Sequence, residues 1–408
     1  MLSNWNTFPS VQGNRQYLFS FYDSLFGEIP FRVFVPKTYN KTKRIPLLLL
    51  LHGAVGGSSF DQAKDYLDSS SAVSKDAALD PLFNFFSKKD YIILMPIGDR
   101  VRKFDWSSNR FAGFADMKPA TNRGINATYK TLARMISLVK ASFNVDDNHV
   151  FAMGHSDGAD GAFCLELMQP NQFGAFVIYN SMLLVLNARN LYLRNLQNVK
   201  LYVVHSSKDN LRPIEQTREI IQEANVFLRN KIAYREYQGF QHFDRHLTID
   251  PVNAERFLEN SRRDPYPSDV YRESDNSTDN RCAWLSVAQF NVLQPKSSWQ
   301  IEFGVKSYDP GSKTFSGDYY GDNDQSYAIK GHYENNLFTI FTSRVQSFDI
   351  YIDPTRVNIT RPVTVEVNGK QLFHDMIIAD KAVLVKTFGE TFDRSSISIA
   401  AIKVVVGK

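Results

Sequence analysis

The stretch Val150-Phe-Ala-Met-Gly-His-Ser-Asp-Gly158 restricts the fold more than any other part of the chain. Residues 150–153 are a short apolar run that reads as a buried strand, and residues 159–168 read as a helix. Between them stands Gly154-His155-Ser156-Asp157-Gly158, a G-x-S-x-G turn. Strand, G-x-S-x-G and helix in immediate succession form a nucleophile elbow. Its sharp turn holds the serine in a strained conformation with its Oγ exposed at the C-terminal edge of a sheet, and the glycines let strand and helix come close.

The rest of the first half fits such a sheet. Residues 16–22 and 31–35 read as two antiparallel strands. Residues 45–51 form a nearly continuous apolar run, as a parallel strand buried on both faces would require, and end in His52-Gly53-Ala54-Val55-Gly56-Gly57. Further strands are expected over 91–95, 173–179, 201–204 and 232–237. They alternate with helices over 79–87, 128–143, 214–228 and 253–258, a pattern that implies a doubly wound, mostly parallel α/β sheet. Residues 58–78 read as polar and irregular. Residues 97–124 lack periodicity and read as a long loop with aromatic anchors, Trp106 among them; loops of this length are usually functional or mobile.

After residue 261 the pattern changes. Residues 262–283 are rich in Pro, Ser, Asp and Arg and read as a linker. Residues 284–408 show no persuasive helix, only short alternating runs such as 299–305, 337–342, 348–352 and 363–367. Asn368-Gly369 follows the last of these, a strong hairpin signal. This half is expected to be a small β-sandwich, giving a catalytic domain over 1–261 and an accessory domain over 284–408. Trp299, Tyr319 and Tyr320 are its candidate ligand-facing aromatics.

A serine hydroxyl becomes a nucleophile when an adjacent base takes its proton. In an elbow of this type the chain order is Ser, then a carboxylate, then His, each on a loop after a later strand. Asp209, in His205-Ser-Ser-Lys-Asp-Asn, holds the acid position, with Asp244 and Asp250 as fallbacks. Of the eight histidines, position leaves His242 and His246. His242 follows a glycine turn nearer the strand end and is preferred as the base, with His246 expected at the surface. Backbone N–H groups fixed in advance must stabilise the oxyanion of acyl transfer; Asp157 N–H, just after the serine, and Ala54 N–H are the candidates. Trp106 and His155 are expected to border the substrate.

Composition removes several alternatives. A chain of 408 residues with 43% hydrophobic and 22% charged side chains can bury a core and suggests two domains. A net charge of +4 gives no reason to expect nucleic acid as a partner. The two cysteines, Cys164 and Cys282, make neither a disulfide framework nor a zinc site, and no H-E-x-x-H or phosphate loop occurs. No metal or cofactor is expected. No run approaches membrane-spanning length. The first residues lack a signal-peptide pattern, so a cytoplasmic chain, or a secreted one whose signal has been removed, is expected.

Leu49-Leu-Leu-His-Gly53, Val145 through Gly158 and Val204-His-Ser-Ser-Lys-Asp209 resemble, in order, the blocks of the α/β-hydrolase superfamily. They are most similar to its polyhydroxybutyrate-depolymerase-like and feruloyl-esterase-like esterases. The resemblance covers about residues 32–258. It implies a serine esterase acting on a small-molecule or polymer-linked ester, with a β-sandwich after the hydrolase domain. A prolyl-oligopeptidase-like peptidase would use the same triad, although no propeller-like repeat precedes this hydrolase region. A hydrolase-fold binding module would need a broken triad.

Overall fold

The computed structural model describes residues 8–53, 79–99, 102, 104–106, 123–181, 192–228, 232–277, 280–301, 304–318 and 325–406. Ala54, the stretch 58–78, most of the loop 97–124, Tyr319 and Tyr320 therefore lie outside the described residues.

The first half is one eight-stranded sheet, β1 (Arg15–Asp23), β2 (Gly27–Val35), β3 (Ile45–Leu51), β4 (Ile92–Pro96), β5 (Val145–His155), β6 (Ala175–Tyr179), β7 (Lys200–Ser206) and β8 (Ala233–Tyr237). Its spatial order is β1-β2-β4-β3-β5-β6-β7-β8. β1, β2 and β4 pair antiparallel, and every pair from β4 to β8 is parallel. Among the described residues of this half the α-helices are α1 (Leu79–Phe86), α2 (Arg123–Ser142), α3 (Asp157–Met168), α4 (Ile214–Phe227), α5 (His246–Ile249) and α6 (Pro251–Glu259).

The composition of β3 follows from its place in this sandwich. Leu47, Leu49 and Leu51 point into the core built with α2 and α3, whereas Leu48 and Leu50 point into the opposite core with α1 and α6. A strand covered on both faces has no solvent side, so its apolar run is unbroken rather than alternating. α2 shows the complementary case: Leu132, Met135, Ile136 and Val139 share one buried face, as helical spacing requires.

The second half begins earlier than its composition suggests. The stretch expected to be a linker contains β9 (Asp269–Ser274), which pairs along its whole length with β14. Its alternation is hidden because it buries two charged residues, Arg272 against the first half and the Glu273 carboxylate against Tyr271, Gln300 and Ser326 of its own half. Arg272 donates to the carbonyls of Leu167 and Met168 at 2.7 and 2.8 Å, and Glu273 exchanges backbone bonds with the Asn195 amide. The other strands are β10 (Arg281–Cys282), β11 (Leu285–Phe290), β12 (Lys306–Asp309), β13 (Thr314–Asp318), β14 (Tyr327–Glu334), β15 (Leu337–Ser343), β16 (Val345–Ile352), β17 (Val363–Val367), β18 (Lys370–Asp375) and β19 (Ala400–Val405). Apart from the two-stranded pair β12-β13, they form two sheets, of order β18-β17-β15-β14-β9 and β10-β11-β16-β19. Both sheets supply one core around Trp284, Phe338, Phe348 and Ile350, the layering of a sandwich.

Asn368 and Gly369 take φ of 50° and 80° between β17 and β18, the left-handed pair an Asn-Gly hairpin needs. Two expectations for this half fail. No strand covers Trp299 to Ile301, and a helix not expected from the sequence, α7 (Lys381–Thr391), lies before β19. Its Val- and Thr-rich sequence masked a helix whose start is nonetheless capped, Asp380 accepting from the Ala382 N–H at 2.7 Å.

Candidate active site

The elbow is built as its glycines demand. Ser156 has φ 57° and ψ −123°, a strained left-handed conformation for a residue with a side chain. A Cβ on Gly154 would lie 2.3 Å from the Gly158 carbonyl, and one on Gly158 would lie 2.1 Å from the Leu51 carbonyl oxygen. Both glycines are thus required by contact, the first between strand and helix, the second between the elbow and β3.

Ser156 follows β5, Asp209 follows β7 and His242 follows β8, so the parallel sheet delivers all three to its C-terminal edge. Ser156 Oγ lies 2.9 Å from His242 Nε2, and His242 Nδ1 lies 2.7 Å from Asp209 Oδ2. Asp209 Oδ1 accepts the backbone N–H groups of Leu211 and Arg212, both at 2.9 Å. Its Oδ2 also accepts from Asn180 Nδ2 at 2.7 Å, and His205 Nε2 stands 3.5 Å away. Burial alone would raise this carboxyl's pKa, but the hydrogen bonds from His205, His242 and Asn180 outweigh it. They hold Asp209 well below the usual carboxylate range and therefore ionised.

With Asp209 as an anionic acceptor, His242 donates its Nδ1–H, which leaves the Nε2 lone pair facing the serine hydroxyl. The loop carrying His242 is tied down on both sides. Ser206 Oγ donates to the Gln241 carbonyl at 2.8 Å, and His155 Nε2 donates to the His242 carbonyl at 3.0 Å.

Arg212 joins the acid loop to the elbow helix. Its guanidinium bonds Asp160 and, at 2.5 Å, Asp157, and Ser181 Oγ completes Asp160 at 2.6 Å. Asp157 opens α3, the helix end at which the dipole favours negative charge.

Several residues occupy places other than those expected. Trp106 is 1% exposed: its indole N–H donates to the His52 carbonyl at 3.0 Å, and its ring fills the space that a side chain at Gly161 would need. It therefore anchors the exits of β3 and β4 from within the core instead of forming a wall open to solvent. His155 is buried beneath His242, ring centroids 4.6 Å apart; burial, followed by its histidine neighbour, holds its pKa well below the ordinary value and keeps it neutral. His246, expected at the surface, is fully buried and donates from Nε2 to Asn180 Oδ1 at 2.8 Å.

Sequence reasoning missed Asn180, His205, Ser206 and Arg212. The only available hint was His205-Ser206, polar residues closing an otherwise apolar strand. Phe243 is also new: 56% exposed, its ring lies 4.7 Å edge-on from that of His242.

Among known families, the sequence profile of the Esterase family matches residues 23–242, more than half of the chain. No curated protein matches it. Among solved structures the chain is similar to a thermostable esterase, with 23% identity, a TM-score of 0.45, and coverage of 61% of this chain and 63% of that enzyme. It is also similar to Thermogutta terrifontis esterase 2, with 15% identity, a TM-score of 0.44, and coverage of 62% of this chain and 96% of that one. The S-formylglutathione hydrolase of Agrobacterium tumefaciens is matched at 12% identity, TM-score 0.42, over 62% of this chain and 98% of that one. The family match begins at Asp23, contains Ser156 and Asp209, and closes on His242. The chain belongs to the Esterase family of carboxylic ester hydrolases.

Proposed function

We propose that Ser156, His242 and Asp209 are the catalytic triad of a serine esterase that works through an acyl-enzyme. The observation that carries this reading is the continuous chain from Ser156 Oγ through His242 to Asp209, at 2.9 and 2.7 Å, on a strained elbow.

Ser156 Oγ attacks the ester carbonyl while its proton passes to His242 Nε2, and Asp209 stabilises the imidazolium that forms. The carbonyl oxygen becomes an oxyanion beside the N-terminus of α3, where Asp157 N–H is one proposed donor and Ala54 N–H the other. Collapse breaks the bond to the alcohol, which leaves with the proton from Nε2. A water molecule then gives a proton to the same nitrogen and attacks the acyl-serine, and the acid is released as Ser156 Oγ leaves with that proton.

The exposed Phe243 lies edge-on to the His242 imidazole, which must hand a proton to the departing alcohol. This supports an ester whose alcohol carries an apolar or aromatic group.

The test is pre-steady-state kinetics with a chromogenic ester. A burst of one alcohol per enzyme, absent in Ser156→Ala, is expected. Linear release with no burst, together with full activity in Ser156→Ala, would contradict the reading.

A further inference from the structure

Two histidines four residues apart share the loop and short helix after β8, and they occupy opposite ends of one hydrogen-bonded chain. Resting on the triad reading above, we propose that His246 and Asn180 form a positioning arm behind Asp209: His246 fixes the Asn180 amide, and that amide fixes the carboxylate that orients His242.

Asn180 ends β6, the strand between the nucleophile's β5 and the acid's β7, and is wholly buried. Its φ of 51° is left-handed, a conformation asparagine tolerates better than most residues. This backbone turns the side chain under the site, where each of its polar atoms is used. Nδ2 donates to Asp209 Oδ2 at 2.7 Å and to Ser206 Oγ at 2.5 Å, and Oδ1 accepts from His246 Nε2 at 2.8 Å.

An amide group has an acceptor at one end and donors at the other. Rotated by half a turn, Asn180 would aim its oxygen at the Asp209 carboxylate and Ser206 Oγ, both acceptors here, and the observed orientation is completed by a donor facing Oδ1. His246 supplies it. Since Asn180 Oδ1 can only accept, His246 must carry its proton on Nε2, and its Nδ1 is buried without a hydrogen-bond partner. A charged ring would need a partner at both nitrogens. Burial, the largest influence, lowers the pKa of His246 to about 4 and keeps the ring in that neutral form near neutral pH.

The same geometry sets His246 apart from the general base: its Nε2 donates to an amide, its Nδ1 is buried, and the Ser156 hydroxyl meets His242 Nε2 instead. Asp209 Oδ2 receives His242 Nδ1–H and Asn180 Nδ2–H together, while Oδ1 receives two backbone N–H groups. Removing the Asn180 donor frees the carboxylate to rotate, and the imidazole it holds moves with it.

The experiment compares steady-state kinetics of His246→Leu, His246→Gln and Asn180→Asp in the full-length protein, with melting temperature and fluorophosphonate labelling of Ser156 recorded for each. His246→Leu removes the donor, and kcat should fall about tenfold to a hundredfold with KM little changed, as for a small misplacement of reacting groups. His246→Gln, which keeps an N–H donor, should recover much of that loss. Asn180→Asp is nearly isosteric but turns an acceptor toward Asp209, and kcat should fall about a hundredfold. The labelling rate should fall in parallel with kcat.

Wild-type kcat in Asn180→Asp would overturn the proposal. So would equal losses in His246→Leu and His246→Gln that follow only their melting temperatures. Either result leaves labelling confined to Ser156 and the triad reading intact, whereas labelling that survives Ser156→Ala would remove the triad reading itself.

Discussion

At the scale of residues, the site divides into groups open to solvent beside the triad and groups buried around it. Phe243 belongs to the first kind, being exposed and edge-on to His242. Phe243→Ala should lower kcat/KM for esters of large apolar alcohols by about tenfold, the effect of 1–2 kcal/mol of lost contact, and leave methyl esters nearly unchanged. A panel of alcohols with one acyl group measures this, and equal loss on every ester would contradict it. Trp106 belongs to the second kind. Fully buried and bonded to the His52 carbonyl, it should cost about 3–5 kcal/mol when replaced by Ala. Denaturant unfolding should register that cost while the ranking of substrates stays as in the wild type.

At the scale of elements, the elbow depends on contact between β3, β5 and α3. Gly158→Ala would push a methyl group into the Leu51 and His52 carbonyls, at 2.1 and 2.7 Å. Backbone atoms cannot swing aside, so the variant should lose about 1–3 kcal/mol of stability and most of its kcat. Normal stability and activity would mean that the elbow has room the structure does not show.

The same element explains what could be read in the sequence and what could not. β3, β5 and α3 were legible because apolar runs and helical spacing are local signals, and the order Ser156, Asp209, His242 follows from strand order alone. Asn180 and His205 were illegible because each is an ordinary polar residue at the end of a buried strand. Their roles exist only once β5, β6, β7 and β8 lie side by side. His246 was misplaced for a related reason: its burial comes from Asn180, Tyr237 and Phe240 across the fold, and the polar residues beside it in sequence gave the opposite impression. β9 and α7 were missed because Arg272 and Glu273 are charged residues buried by partners distant in sequence, and because the helical residues of α7 include several β-branched ones.

At the scale of the whole molecule, a buried ion cluster fixes the β-rich half to the N-terminal end of β5, while β12 reaches the first turn of α4, where Gln216 bonds the backbone of Lys306 and Tyr308. Lys140 is wholly buried between Asp147 at 3.6 Å and Asp393 at 3.5 Å. Arg263 pairs with Asp393 at 2.6 Å, and Arg394 with Asp147 at 2.9 Å. Breaking one member of such a cluster strands the others, so Asp393→Ala should cost about 3–5 kcal/mol.

Burial raises the Asp393 carboxyl, but Lys140 and Arg263 outweigh it and hold its pKa well below the ordinary value. A carboxyl depressed on folding stabilises above its unfolded pKa of about 3.9 and loses that contribution as pH falls below it. Melting temperature should therefore drop in acid for the wild type and less steeply for Asp393→Asn, with kcat of the folded variant near wild type at neutral pH. An identical acid slope in both proteins would show that Asp393 gains nothing from its partners.

The account rests on one atom, Ser156 Oγ. Labelling the full chain with a fluorophosphonate and locating the adduct by peptide mass spectrometry tests it most directly. One phosphonate per chain, on Ser156, slowed by orders of magnitude in His242→Ala and absent in Ser156→Ala, is the expected result. An adduct on any other residue, or undiminished labelling of Ser156→Ala, would contradict it.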